Sequence, residues 1–219
     1  MSDYTLVLPN IFIGNAAASK DLQFFKTYKV THVINLTEKE SNYFENHDSI
    51  NNVKYLHIAL SDTCSTNISY HFSQTNKFIS MCMSDNKHVL LIHCKCGVSR
   101  SSTILLAWLV GVKKLNVSNA LSQIKCKRRR IRPNVGFFLQ LLKLEKQISN
   151  ATTVGEKLKW NPSLLPHKYC ELPEETWLLM MKISSSDELP TEINEKQFKL
   201  LRKIAFRGRK KKMKGKTAY

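Results

Sequence analysis

His88-Val89-Leu90-Leu91-Ile92-His93-Cys94-Lys95-Cys96-Gly97-Val98-Ser99-Arg100-Ser101-Ser102 is the stretch on which the fold and its chemistry turn. Residues 88–92 form a short, nearly continuous apolar run, the pattern of a central strand buried on both faces. A polar turn containing Gly97 follows, and the apolar run 103–110 then reads as a helix. In open α/β sheets ligands gather outside the carboxyl ends of strands. A tight loop that feeds a helix aims backbone N–H groups and the positive end of the helix dipole at one spot. Lys95, Cys96, Gly97, Val98 and Ser99 would form such a nest for a tetrahedral oxyanion. Arg100 adds a planar fork able to grip two of its oxygens. Gly97 permits backbone geometry that a side chain would obstruct.

Cys94 stands at the base of this nest. The dipoles that hold a phosphate also favour a thiolate, so Cys94 is expected to be ionised at neutral pH. A thiolate facing bound phosphate can attack phosphorus and form a phosphocysteine. The departing ester oxygen then needs a proton, which calls for a general acid elsewhere in the chain. Asp62, in Leu60-Ser61-Asp62-Thr63-Cys64, directly follows an expected strand and should reach the same sheet edge. Asp85 and Asp48 are rivals that follow no strand so directly.

Outward from this centre, strands alternate with helices. Residues 5–13 read as two short strands split by a Pro-Asn turn, 17–28 as a helix, and 30–36 and 53–60 as further strands. Ile68, Phe72, Thr75, Ile79 and Cys82 recur at helical steps, and 116–127 and 134–148 carry the same period. The expected fold is α/β, with a central, mostly parallel twisted sheet flanked by helices, because parallel neighbours need crossovers. Residues 1–150 would form the catalytic domain. Beyond it, 151–206 reads as a helical basic extension packing on that domain, with Pro173 and Thr191 as helix-start signals. Residues 207–219 read as a disordered basic tail.

The chain has 219 residues and a formal net charge of +17, with 42% hydrophobic residues, which excludes wholesale disorder. No apolar run approaches the ~20 residues a membrane-spanning helix needs. The first residues lack a basic and then apolar leader pattern, so an intracellular protein, cytoplasmic or nuclear, is expected. Six cysteines at irregular positions (64, 82, 94, 96, 126, 170) do not resemble a disulfide framework. No metal ligand set is read from them: His93, Cys94 and Cys96 lack a second paired set, and Cys126 lies in a basic run. Cys64 or Cys96 could trap an oxidised Cys94 as a disulfide, although incidental thiols explain both more simply. Basic clusters at 125–132 and 207–216 would attract nucleic acid or another polyanion without choosing among them.

The His93-Cys94-x5-Arg100 pattern followed by Ser101 resembles the cysteine-based protein tyrosine phosphatases, and specifically the dual-specificity phosphatase family. The likeness runs over roughly residues 4–148, including Ala107-Trp108-Leu109-Val110 and Ile131-Arg132-Pro133-Asn134-Val135-Gly136-Phe137. The 32 positions from Asp62 to Cys94 also match the family. The resemblance implies Cys94 as nucleophile, Arg100 as phosphate clamp and Asp62 as acid, then base. It makes Ser101 a stabiliser of the leaving thiolate and gives His93 a part in setting the thiol's ionisation. It places Arg128, Arg129 and Arg130 beside the mouth as a second anion site, with no cofactor or metal. Substrates would be phosphotyrosine and phosphoserine/threonine in proteins. RNA 5′-triphosphatases and phosphoinositide phosphatases share the loop, though RNA-directed relatives generally do not rely on an Asp at the Asp62 position. A non-catalytic phosphate-binding scaffold with a nucleic-acid-binding tail is the remaining reading. Oligomeric state stays open.

Overall fold

The structure, a computed structural model, describes residues 3–50 and 52–148. The boundary near 150, the helical extension and the basic tail expected beyond it lie outside the described residues. In chain order the elements are β1 (Tyr4–Leu8), β2 (Ile11–Gly14), α1 (Leu22–Tyr28), β3 (His32–Asn35), β4 (Lys54–His57), α2 (Phe72–Cys82), β5 (Leu90–His93), α3 (Arg100–Gly111), α4 (Val117–Lys125) and α5 (Val135–Ile148). No helix among the described residues is long and apolar enough to cross a membrane.

The sheet runs β1-β2-β5-β3-β4. Only β1 is antiparallel, paired with β2 at the edge; β2, β5, β3 and β4 are mutually parallel. Strand β5 lies at the centre, with Ile92 level with Ile13 on one side and Ile34 on the other. Side chains alternate between two cores with the period of a strand. Ile11, Ile13, Ile34, Leu90 and Ile92 pack beneath α2–α5, while Phe12, Val33 and Leu91 face Phe24 and Phe25 of α1. Each such buried side chain stabilises the fold by about 2 kcal/mol, so a one-residue slip of β5 would exchange both cores at once. That register holds the C-terminal ends of β2, β5 and β3 level, and the loop after β5 emerges among them.

Two helices start later than periodicity suggests. In place of one helix over 17–28, a 3₁₀ turn (Ala18–Lys20) precedes α1. Asp21 breaks the run: its extended backbone and its carboxylate, accepting from the Phe24 amide at 2.9 Å, cap the new helix. A second 3₁₀ turn, Ile68–His71, likewise leads into α2. After α4, the chain from 126 to 134 doubles back toward the loop that follows β5.

Candidate active site

The loop between β5 and α3 is shaped from outside by its carbonyls. Lys95 O accepts from the Ala16 amide at 3.2 Å, Val98 O from the Arg132 amide at 3.0 Å and Ser102 Oγ at 2.6 Å, and Ser99 O from the Thr103 amide at 2.9 Å. Gly97 O takes Arg128 Nε at 3.1 Å, and Cys96 O takes a guanidinium nitrogen of Arg130. With the carbonyls so engaged, the Gly97 amide points at Cys94 Sγ and the other loop amides are left open. Those of Lys95, Cys96, Val98, Ser99 and Arg100 donate to no acceptor among the described residues. This is a concave row of N–H groups at a helix N-terminus, suited to an oxyanion. Gly97 has φ +64°, and a Cβ there would sit 2.6 Å from Gly14 O, so any side chain would both strain the turn and collide with β2.

Cys94 is fully buried at the floor of this nest. Its Sγ accepts the Gly97 amide at 3.2 Å and lies 3.3 Å from Ser101 Oγ. The side chain borders the hydrophobic core, and its sulfur meets donors on the loop side. His93, one residue earlier, is also fully buried, and neither ring nitrogen has a hydrogen-bond partner. Burial above all, then the fields of His57 and Arg100, push the His93 imidazole down to about 3. It stands beside the thiol as a neutral ring, so any influence on Cys94 is that of a dipole and not of a cation.

The unfolded imidazole takes its proton near 6.5, well before the native one. Stability conferred by the neutral ring is therefore complete above pH 6.5 and drains as pH falls toward 3, at up to about 1.4 kcal/mol per pH unit. Nitrogen-15 NMR of the native protein at pH 5 should still show His93 as a neutral imidazole; an imidazolium signal there would refute this.

Arg100 is nearly buried and anchored by one end. Its Nη1 donates to the carbonyls of Leu36 at 3.1 Å and Leu60 at 2.7 Å, at the ends of the β3 and β4 segments. The Nε edge faces Asp62, with Oδ2 at 3.4 Å. Asp62 is about one-third exposed, at 32%, and its Oδ1 accepts from Ser99 Oγ at 2.7 Å and Asn134 Nδ2 at 2.9 Å. The acid loop rests on the first turns of α5. Gln140 donates from Nε2 to Thr66 O and accepts the Ser69 amide, while a Cβ at Gly136 would collide with the Cys64 carbonyl. Small size at 136 thus lets α5 and the Asp62 loop touch backbone to backbone.

The structure brings His93, Cys94, Asp62, Ser99, Arg100 and Ser101 together at the loop after β5. Of the rival acids, Asp85 stands at the opposite sheet edge, 3.9 Å from His88, and Asp48 in the loop before β4. The basic cluster differs from expectation. Arg129 is exposed, but Arg128 is buried at 3%, its Nη1 on Thr5 Oγ1 and its Nε on Gly97 O. Burial, then Arg130, lowers it to about 10, and it remains a cation at neutral pH. Arg128 is a brace for the loop, and of the three only Arg129 and Arg130 extend toward solvent. Asn134 was not singled out as a site residue. The signal available was its place as an N-cap: its Oδ1 accepts the Phe137 amide at 3.0 Å, which leaves Nδ2 for Asp62.

A five-stranded mixed sheet with this loop at its centre defines a cysteine-based phosphatase domain, and the comparisons agree. The chain belongs to the dual specificity phosphatase family: the model for "Dual specificity phosphatase, catalytic domain" matches residues 11–147. It is 34% identical over 143 residues to dual specificity protein phosphatase Mpk3 of Drosophila melanogaster, covering 65% of this chain but only 34% of that protein. It is 35% identical over 144 residues to human dual specificity protein phosphatase 22, covering 64% of this chain and 72% of that one. The chain thus spans about a third of the length of some curated relatives. Among solved structures, DUSP15 superposes with a TM-score of 0.57 at 33% identity, covering 68% of this chain and 96% of that one. Human DUSP28 gives 0.61 at 23% identity, over 68% and 97%, a likeness of fold.

Proposed function

We propose that this domain hydrolyses phosphotyrosine and phosphoserine/threonine esters in proteins through a phosphocysteine intermediate. The observation that carries the reading is the sulfur of Cys94 in a loop whose amides lack acceptors, with Arg100 of the same loop paired to Asp62. Phosphate oxygens would lie against the loop amides and the Nε edge of Arg100, displacing Asp62 Oδ2 from that edge. The Cys94 thiolate attacks phosphorus in line with the ester oxygen, which leaves with a proton from Asp62. Water then attacks the phosphocysteine, giving its proton to the Asp62 carboxylate, while the Ser101 hydroxyl hydrogen-bonds the departing thiolate. Ser99 and Asn134 hold the acid in place; no metal enters this scheme.

The test is a leaving-group series. Asp62→Ala should lower kcat about 10²- to 10³-fold on an alkyl or phenyl phosphate but less than about tenfold on a nitrophenyl ester, whose oxygen departs without protonation. Equal losses on both would remove Asp62 from the acid role. Phosphopeptides should also be turned over faster than triphosphate-ended RNA; the reverse order would move the substrate class to nucleic acid.

A further inference from the structure

At the sheet edge opposite the phosphate loop, three side chains unused by this chemistry converge. His32 opens β3, Cys82 ends α2 and His88 precedes β5. One donor atom from each lies within 4.8 Å of the other two. Adjacency of β3 and β5, with His32 level with Leu90, sets the two histidines side by side, and the short turn after α2 delivers the thiol to them.

Of the two imidazoles, His32 is held from behind by one nitrogen, and His88 has a carboxylate near one of its own. His32 Nδ1 lies 2.8 Å from Thr31 Oγ1. When that hydroxyl donates to Val89 O at 3.2 Å, its oxygen takes the Nδ1 hydrogen, the tautomer in which Nε2 keeps its lone pair for a metal. His88 Nε2 lies 3.9 Å from the Asp85 carboxylate, while its Nδ1 is buried without a hydrogen-bond partner. Carboxylate or hydroxyl behind a histidine is the arrangement that orients metal-binding imidazoles. Cys82 is a free thiol, completely buried.

We propose that His32, Cys82 and His88 form a site for one borderline-soft divalent cation, Zn²⁺ foremost, that staples the last turn of α2 to the entries of β3 and β5. Two imidazoles and a thiolate are a donor set suited to zinc, with the fourth tetrahedral position left to water. Binding breaks the Cys82 S–H bond, forms Zn–S and releases the proton to water. Tetrahedral zinc separates its donors by roughly 3.5 Å, so the triad draws in by about 1 Å on binding. The exposed 84–87 turn can follow that movement, and half-exposed His88 offers the entry path. Lys54 faces His32 and Cys82 from β4 and opposes a cation; being exposed, it can turn to solvent, whereas Asp85 adds compensating charge.

The experiment titrates the full chain, carrying Cys94→Ser so that the nucleophilic thiol cannot compete, with Co²⁺ and then Zn²⁺. One equivalent of Co²⁺ should give tetrahedral d–d bands and a thiolate-to-metal charge-transfer band, both displaced by Zn²⁺. Adding Cys82→Ser should abolish the charge-transfer band and weaken Zn²⁺ binding at least about 100-fold, and His88→Ala about 10- to 100-fold. Zn²⁺ should raise Tm only where the triad is intact. A charge-transfer band that survives Cys82→Ser would overturn the proposal, as would octahedral cobalt or no binding in excess metal. Should Cys82→Ser fail to fold, half-exposed His88→Ala carries the test, and unchanged Zn²⁺ affinity there would overturn it equally.

Discussion

Cys94→Ser is expected to lower turnover of an aryl phosphate by at least about 10⁴-fold, because an alcohol in place of the thiolate removes the covalent route altogether. Binding should survive. The amide row belongs to the backbone, and its carbonyls remain tied to Ala16, Arg128, Arg130 and Arg132. An oxyanion inhibitor such as tungstate should therefore bind the variant within about tenfold of the parent, while acid quenching traps phosphoenzyme only from the parent. Turnover within tenfold of the parent would sink the proposed chemistry.

Arg100→Lys should cost about 10³-fold in kcat/KM, equivalent to about 4 kcal/mol of transition-state stabilisation. Charge is kept, so the loss isolates geometry. Arg100 bridges the Leu36 and Leu60 carbonyls with Nη1 and offers the Nε edge to the phosphate site, and an ammonium cannot do both. The two carbonyls would also lose their donor in a nearly buried setting, so Tm should fall. Measuring kcat/KM and Tm together separates the effects. A lysine variant with nearly full activity would show that Arg100 serves as a point charge alone.

Legibility in the sequence followed distance along the chain. The run 88–92 and the turn after it announce a buried strand feeding a helix, and Cys94, Gly97, Arg100 and Ser101 meet within one turn because they are covalent neighbours. Asp62 was reachable because a parallel sheet brings successive strand ends to one edge. Other features depend on partners tens of residues away. Arg128 reads as a surface cation in a basic run, yet the fold puts it under Gly97 and Thr5. Asn134 reads as a helix cap, and only the approach of the Asp62 loop gives its amide a second task. Asp21, a capping residue inside an apparent helix, shows periodicity overridden by a local hydrogen bond.

By itself, the order of residues settled the alternation of strands and helices and the gathering of His93, Cys94, Gly97, Arg100 and Ser101 in one loop, since both arise from interactions between near neighbours. Tertiary structure alone decided which face of each strand meets which helix, which arginine braces the loop, and that His32, Cys82 and His88 stand together. Those contacts follow from placing β5 between β2 and β3, a strand order that no local pattern encodes because it is chosen by burial of the two faces together.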